Sequence, residues 1–436
     1  MSVETDLQYD LSDHATGRSI ARIARGIRID PRIPAIVPGF DVPFFQAGLA
    51  GYSDAAMRLI ARRHGCPFCV TEALLDRTLI NGGKGRRKED PDLLAEECGT
   101  GDVDENRPVG QVSDLSGFLR LSEPQDIPSA PARRAGETTH GSESRATGSR
   151  ATWSHATLSD HPIAGQIMGS GPDEMARGSA ILVGMGYDVI DVNLACPVKK
   201  IRRRARGGHL MQEPAIAIDI LRAVHDAVPR GIPITVKLRR GWDDSPQQLR
   251  HFEIIFDKAY EIGCAWAAVH CRTVEQKYKG PGRWPFLREL VARYPDRLIF
   301  GSGDVWRVED IFAMLELTGV SAVSVARGCI GNPWIFRQAR EMMGMAGGTP
   351  APLTPALPDL REQRQALLEH FHLAVVLHGE QAASRMMRKF GIKFSRHHPR
   401  SEDVKAEFIR CKSVAEWKSV IERWYSASVM EEVPCG

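Results

Sequence analysis

The sequence has few of the features that mark membrane, secreted or metal-binding proteins. No apolar run among its 436 residues reaches the roughly 20 residues of a transmembrane helix, and the polar, acidic N-terminus is unlike a signal peptide, so we expect a cytoplasmic protein. Its nine cysteines are scattered and odd in number, which favours reduced thiols over a disulfide framework. Cys66 and Cys69 form a CxxC pair, but no second pair lies at zinc-site spacing, and we expect no metal site. The net charge of +3 is too small to identify a nucleic-acid-binding protein.

Short apolar runs alternate with helical stretches over most of the chain. Eight such runs predict eight parallel strands that close into a (β/α)8 barrel, the TIM barrel, in the α/β class. The predicted strands cover residues 44–49, 68–74, 163–168, 189–195, 232–238, 266–270, 298–301 and 322–326.

Other segments depart from this rhythm. Residues 84–161 interrupt it, and within them residues 121–160 are rich in Ser, Thr, Ala, Gly, Pro and Arg, which predicts a disordered surface insert. A Gly/Pro-rich stretch precedes the last part of the chain, where apolar residues recur at helical spacing over 360–377, 382–394 and 414–424. The predicted organisation is a loose N-terminal extension at 1–26, a barrel domain at 27–343, a linker at 344–358 and an all-helical domain at 359–430.

Residues 191–211, DVNLACPVKKIRRRARGGHLM, carry the strongest functional signal. Asp191 and Asn193 share one face of the predicted strand, which ends at Cys196 and Pro197. A thiol at the end of a strand, followed by many cations, indicates acid–base or nucleophilic chemistry on a polyanion. Taken alone, the same stretch would also suit a buried cysteine followed by a solvated basic loop.

This stretch resembles the Asn-x-Gly-Cys-Pro signature of the tRNA-dihydrouridine synthases, in which basic residues and a loop of small residues follow the cysteine. From His270, the sequence HCRTVEQKYKGPGRW resembles that family's His-x-Arg-Thr-x-x-Gln-x-Tyr-x-Gly, and the likeness spans residues 27–400 apart from the insert. It implies an enzyme that uses flavin mononucleotide (FMN) to reduce the 5,6 double bond of specific uridines in tRNA. Cys196 would then be the proton donor, and NADPH or NADH would reload the flavin.

Polar and glycine residues recur at the predicted strand ends, where barrel enzymes keep their chemistry. The loops at 301–304 and 326–328 follow the last two strands, where barrels often bind phosphate. Lys237 would stabilise an anionic flavin edge, or else would form a buried ion pair with Asp191 or Glu72. The predicted cofactor-binding residues are Gly48, Leu49, Ala50, Gln166, Lys237, His270, Ser302, Gly303, Asp304, Ala326 and Arg327.

A second basic segment, SRMMRKFGIKFSRHHPR, opens at Ser384 and resembles the family's tRNA-gripping helix, although charge runs are usually solvated helix faces. With it we predict tRNA and a nicotinamide cofactor as partners, no membrane partner, and a monomer. The predicted substrate-binding residues are Asn193, Lys199, Lys200, Arg202, Arg203, Arg204, Arg239, Arg272, Arg385, Arg388 and Lys389.

The chain also departs from the family pattern. Gly48 replaces a proline, Ala195 a glycine and Ser302 an asparagine, and none of these changes removes a reacting group. One alternative is a barrel flavin oxidoreductase that acts on a small pyrimidine-like substrate, and the basic loop argues against it. The other is a catalytically inactive RNA-binding relative, against which Cys196, Lys237 and His270 argue together.

Overall fold

The computed structural model describes residues 17–81, 160–198, 201, 204–345 and 355–426. Four of the predicted substrate-binding residues, Lys199, Lys200, Arg202 and Arg203, lie outside these ranges. So do the predicted insert, except for Asp160, and most of the predicted linker.

Nine parallel strands are found in the described part of the chain, and eight of them close into a barrel. The last barrel strand pairs with the first, and β2 pairs with both β1 and β4, which completes the ring. The predicted TIM barrel is therefore confirmed. The strands are β1 Phe44–Gln46, β2 Cys69–Val70, β3 Leu74–Leu75, β4 Ile163–Met168, β5 Val189–Asn193, β6 Ile234–Arg239, β7 Ala267–His270, β8 Ile299–Ser302 and β9 Ala322–Val325.

The prediction of one continuous strand over 68–74 is wrong. β2 and β3 are separate, and Thr71 lies between them. The Thr71 hydroxyl accepts the backbone N–H of Gln166 at 3.0 Å and donates to the Glu72 carbonyl at 2.8 Å. A side-chain oxygen thus replaces a backbone acceptor, which interrupts the backbone hydrogen bonds between this segment and β4. β3 therefore forms a separate short strand that pairs with β4.

Helices cover the outside of the barrel and form the C-terminal region. Proline at the first helical position, the Ser245 cap and left-handed Gly263 fix the ends of two of them, as the sequence predicts for 214–227 and 246–262. The helices are α1 Gly17–Gly26, α2 Arg32–Ile36, α3 Ala55–Arg63, α4 Asp76–Asn81, α5 Pro172–Gly184, α6 Pro214–Ala227, α7 Pro246–Ile262, α8 Trp284–Arg293, α9 Val308–Thr318, α10 Trp334–Met342, α11 Leu360–His378, α12 Glu380–Phe394, α13 Ser401–Arg410 and α14 Val414–Trp424.

The N-terminal extension is not loose over its described part. Residues Gly17–Gly26 form α1, which packs against α9 and α10. Ile20, Ala21 and Ala24 are buried there, because their spacing places them on one face of the helix. An amphipathic stretch therefore becomes ordered by the neighbours that cover its apolar face.

Aromatic rings fill the N-terminal end of the barrel. Phe40 stacks on Phe68 with ring centroids 4.9 Å apart, and Trp266 stacks on Phe300 at 4.8 Å. Phe45 contacts both pairs, at 5.7 Å from Phe68 and 5.6 Å from Phe300. These five residues, the aromatic plug, are buried and close one end of the barrel, so the other end is left for a site.

The helical C-terminal region docks on the loop that follows β9. A Cβ atom on Gly331, whose φ is +63°, would lie 2.7 Å from the backbone of Lys393, so glycine permits this close approach. The Arg396 guanidinium donates to the carbonyls of Gly328 and Ile330 at 3.1 and 3.3 Å. Helix α13 lies outside the predicted helical segments. In the part of the chain that the structure describes, no helix is long and apolar enough to cross a membrane.

Candidate active site

A cavity of about 750 Å³ opens at the carboxyl ends of the barrel strands. It collects residues that are far apart in sequence, because parallel strands present their carboxyl ends at one rim. All the predicted cofactor-binding residues line it. The lining also contains Asn193, Cys196 and Arg239 from the predicted catalytic and substrate-binding residues, together with Tyr52, Glu72, Tyr278, Trp306, Lys393 and Arg396, which the sequence analysis did not select.

A chain of hydrogen bonds crosses the interior beside the cavity. Thr235 Oγ1 and Gln166 Nε2 donate to the two oxygens of Asp191, both at 2.7 Å. Asn193 Nδ2 donates to Gln166 Oε1 at 2.7 Å. Asn193 Oδ1 then accepts the backbone N–H groups of Ala195 and Cys196 at 2.9 and 3.1 Å. The polar residues on the inner faces of β4, β5 and β6 are thereby linked to the backbone of Cys196.

The Cys196 loop is held from the other side as well. Arg239 Nε donates to the Ala195 carbonyl at 2.8 Å, and the Gly208 N–H donates to the Cys196 carbonyl at 3.0 Å. Gly207 has φ +55°, and a Cβ atom there would lie 2.9 Å from Cys196 Cβ. Gly207 and Gly208 are buried and begin a short 3-10 helix, Gly207–Gln212, because the loop approaches the cysteine closely.

The Cys196 thiol is half-buried at the wall of the cavity. Burial raises its pKa above the ordinary value of 9.0, against smaller opposing effects of a backbone hydrogen bond from Val198 and the charge of Arg239. A thiol with a raised pKa is protonated at neutral pH and can act as an acid. The other cysteines in the described ranges are fully buried.

Lys237 reaches the cavity from the inner face of β6. Burial lowers the pKa of its ammonium, and the charge of Asp191 opposes that effect. Both Asp191 oxygens are taken by Thr235 and Gln166. The attraction between Asp191 and Lys237 keeps the interpretation of an ion pair open beside that of a flavin contact, and both stay predictions. Lys237 is partly exposed at the wall of the cavity, where its ammonium suits an anionic ligand.

His270 is a neutral hydrogen-bond donor toward the cavity. Its Nδ1 accepts the backbone N–H of Arg272 at 3.2 Å, which leaves the ring hydrogen on Nε2. Burial, and then the nearby charges of Arg239 and Lys237, hold the pKa of His270 well below 6.5. The imidazole is therefore uncharged at neutral pH and cannot serve as a cationic acid.

Arg272 and Asp304 form an ion pair between the loops that follow β7 and β8. Arg272, predicted to bind substrate, is buried and donates to both Asp304 oxygens at 2.6 Å and to the Gly280 carbonyl at 2.6 Å. The Asp304 carboxylate also accepts the Gly282 N–H at 2.5 Å. The pair positions the two loops, while Asp304 still lines the cavity, so its contact with the cofactor stays a prediction.

Arg327 lies between two exposed aromatic side chains at the mouth of the cavity. Its guanidinium carbon is 4.3 Å from the Trp306 ring centroid and 5.2 Å from that of Tyr278. Tyr278 and Trp306 are 53% and 44% exposed, unusually high values for large aromatic side chains that line a cavity. Exposed aromatic residues beside a cation suit a nucleotide ligand. Tyr278 is the tyrosine of the motif that begins at His270, a signal that could have selected it, whereas no motif contains Trp306.

A dihydrouridine synthase (Dus) family model matches residues 139–429. The chain belongs to this family. The relatives it resembles include the tRNA-dihydrouridine synthase B of Shewanella oneidensis, 33% identical over 264 residues that cover 61% of this chain and 78% of that protein. A probable tRNA-dihydrouridine synthase of Treponema pallidum is 33% identical over 263 residues, 59% of this chain and 74% of that one. The tRNA-dihydrouridine synthase B of Xanthomonas campestris is 32% identical over 273 residues, 63% and 78% of the two chains.

Family membership directs attention to the basic residues of α12, which the match includes. Arg385 and Arg388 are exposed, as the predicted RNA-binding face requires. Lys389 instead turns toward the barrel, where its ammonium lies 4.6 Å from the Tyr52 ring centroid and burial lowers its pKa. One turn further along, the exposed Lys393 lines the cavity. Because residues four apart lie on the same face of a helix, its spacing from Lys389 could have predicted this position.

Proposed function

We propose that this dihydrouridine synthase reduces the 5,6 double bond of uridine in tRNA, with FMN as its cofactor and a reduced nicotinamide, NADPH or NADH, as the reductant. The observation that carries the proposal is the Cys196 thiol at the wall of a cavity that Lys237 and His270 also line. The names of the relatives support tRNA as the substrate.

The residues around the cavity fit FMN. A cavity of about 750 Å³ is within the range of sites for ligands of this size. Lys237 offers a positive charge for an anionic ring edge, and Gln166 and His270 offer further hydrogen-bonding atoms. Arg327, beside the loop that follows β9, offers a guanidinium for the phosphate. When bound, the flavin supplies the hydride for one carbon of the double bond.

Cys196 supplies the proton for the neighbouring carbon, which completes the addition of two hydrogens. Its raised pKa keeps the proton on sulfur until the base lies in the cavity. His270 cannot replace it as a cationic acid, because burial and the nearby charges keep that ring neutral. Arg239 hydrogen-bonds the carbonyls of Ala195, Thr273 and Lys277, so it supports the Cys196 loop rather than donating a proton.

The RNA would approach across the mouth of the cavity. Lys393 and Arg396 from the helical region line that mouth, and Arg204, Arg385 and Arg388 are exposed on the same chain. Such cations bind phosphates without regard to sequence, and they would orient the tRNA while the barrel selects the uridine. This assigns chemistry to the barrel and RNA binding mainly to the helical region.

The experiment is mass spectrometry of total tRNA from a strain that lacks the gene. We expect one or more dihydrouridines to disappear and to return when wild-type protein is supplied. Cys196→Ala should not restore them, whereas Cys264→Ala, which alters a buried cysteine before β7, should. Unchanged dihydrouridine in the deletion strain, confirmed by the absence of the protein, would refute the proposed function.

A further inference from the structure

Asp191 is a buried carboxylate that the proposed reaction does not use. It is 5% exposed, and its two oxygens accept one hydrogen bond each, from Thr235 and Gln166. A buried carboxylate is costly unless its surroundings compensate for the lost water. Its place at the start of a hydrogen-bond chain that ends on the backbone of Cys196 suggests what it does.

The hydrogen bonds from Asp191 to Cys196 all run with donor and acceptor in the same order. At the Asp191 end, the carboxylate sets that order. A carboxylate accepts hydrogen bonds and donates none, so the Gln166 amide must turn its Nε2 toward Asp191. Gln166 Oε1 then faces Asn193 and accepts from Nδ2. Asn193 in turn presents Oδ1 to the N–H groups of Ala195 and Cys196. Each amide orientation therefore follows from the one before it.

Without the Asp191 carboxylate, the Gln166 and Asn193 amides would no longer be held in single orientations. Gln166 is 2% exposed, so a lost acceptor would leave its Nε2 without a partner and would no longer hold the amide in one orientation. A loosened Gln166 would accept less firmly from Asn193 Nδ2, and Asn193 would lose its fixed orientation. The N–H groups of the Cys196 loop would then lose their acceptor, although Arg239 and Gly208 would still hold its carbonyls.

We propose that Asp191 is a positioning residue that, through Gln166 and Asn193, holds the Cys196 thiol at the wall of the cavity. The consequence for product formation rests on the proposed function. The consequence for the thiol itself does not, because it depends only on the fold.

The test compares Asp191→Ala with Asp191→Asn. An asparagine can accept from Gln166 through Oδ1 and donate through Nδ2 to the Thr235 hydroxyl, which can turn to accept, so it keeps the chain and removes the charge. Ser179→Ala is the control, since that buried hydroxyl bonds only the Met175 carbonyl of its own helix α5. The first readout is the rate of Cys196 alkylation by iodoacetamide at pH 8 without flavin or tRNA, followed on the Cys196 peptide by mass spectrometry. The second is single-turnover dihydrouridine formation by flavin-loaded protein.

For Asp191→Ala we expect about tenfold faster alkylation, because a loosened loop solvates the thiolate and lowers the thiol pKa. Dihydrouridine formation should fall about tenfold as the acid loses its position. Asp191→Asn should restore the alkylation rate and most of the product, and Ser179→Ala should change neither. If Asp191→Ala does not fold, Gln166→Met breaks the same chain and should give the same alkylation change.

Wild-type alkylation in a folded Asp191→Ala or Gln166→Met protein would overturn the positioning role. An Asp191→Asn protein as impaired as Asp191→Ala would also overturn it, since charge and not hydrogen bonding would then be responsible. A wild-type protein that forms no dihydrouridine would refute the proposed function, and the alkylation rates would still decide the role of Asp191.

Discussion

The two ends of the barrel interior are built from the same strands but from opposite kinds of residue. On β8, Phe300 belongs to the aromatic plug, and two residues later Ser302 lines the cavity. On β1, Phe45 is in the plug, and the chain continues into Ala47 and Gly48 at the cavity. Because side chains alternate along a strand, both members of each pair point inward. The change from a large aromatic side chain to a polar or small one therefore occurs along the barrel axis, within about 7 Å.

This difference separates stability from chemistry. Apolar burial in the plug stabilises the fold, whereas the buried Lys237 and Asp191 at the other end carry a desolvation cost that a ligand or a hydrogen-bond chain must offset. Substitutions at the closed end should thus change the free energy of unfolding, and those at the open end should change binding or chemistry. Each prediction below tests that division at one place.

The largest effect is expected for Cys196→Ala at the open end. Dihydrouridine formation should fall by about 10² to 10⁴, the usual contribution of a positioned acid. Affinity for tRNA and flavin reduction by the nicotinamide should be preserved, because the thiol takes part in neither. Rapid-quench product analysis, fluorescence binding and flavin absorbance measure the three quantities. Product at the wild-type rate would mean that another group is the acid.

Phe300→Ala should have the largest effect at the closed end. Phe300 is fully buried and contacts Trp266, Phe45 and Phe40, so its loss should lower the free energy of unfolding by about 3–5 kcal/mol. Denaturant unfolding measures the loss, and protein that remains folded should keep its flavin affinity. Phe300→Leu is the matched control and should cost less. A flavin affinity that falls in step with stability would show that the two ends are not separable.

Lys237→Met should do the reverse at the open end. The substitution removes a partly buried cation together with its desolvation cost and its attraction to Asp191, so the free energy of unfolding of the flavin-free protein should change little. Affinity for FMN should fall by about tenfold or more, because a charge-assisted contact is lost. Titration of apoprotein with FMN measures this. Normal affinity together with normal flavin reduction would exclude a role for Lys237 at the flavin.

The parts of the fold and of the site that could be predicted from sequence are those that depend on local patterns. The barrel could be predicted because strand and helix periods are local properties, as Pro214–Ala227 and Pro246–Ile262 illustrate. Cavity-lining residues could be predicted where a motif fixes them at a strand end, as at Cys196 and His270.

Contacts between residues that are distant in sequence could not be predicted. The position of Arg272 in its motif predicts a cation that binds substrate, yet its guanidinium hydrogen-bonds Asp304, 32 residues later. The sequence predicts that Lys389 belongs to an exposed basic face, yet its ammonium lies over the ring of Tyr52 in the barrel domain. Both outcomes depend on which distant residue lies opposite in the folded chain, and a single sequence does not contain that information in a local pattern.

His370, which is buried away from the cavity, should make the stability of the fold depend on pH. It is 1% exposed, its ring lies 4.4 Å from that of Phe390, and burial lowers its pKa to about 4. Because the folded pKa is below the unfolded value of 6.5, the unfolded state binds more protons between these values. Stability is therefore lost as pH falls from about 6.5 to 4, by at most about 1.4 kcal/mol per pH unit for this residue.

His370→Phe should remove that contribution and leave activity unchanged. Unfolding curves between pH 7 and 4 should show a shallower loss of stability than in the wild type. His64 and His397, whose pKa values are also lowered to about 4, should leave part of the acid sensitivity in place. The exposed His225→Gln serves as the control and should follow the wild-type curve. An unchanged slope in His370→Phe would show that folding does not lower the pKa of this ring.

The smallest effect is expected outside the barrel, where Arg385 and Arg388 are exposed on α12. Replacing both by Gln should weaken tRNA binding severalfold and reduce the slope of log K against log salt by about two, since each lost phosphate contact releases about one counterion fewer. Neither the free energy of unfolding nor flavin reduction should change, because neither side chain is buried. Lys405→Gln with Arg410→Gln removes the same charge from α13 and is the matched control. Equal losses of binding in the two double variants would mean that RNA responds to the overall charge of the helical region. A selective loss in the α12 variant would identify this helix as the RNA-binding surface.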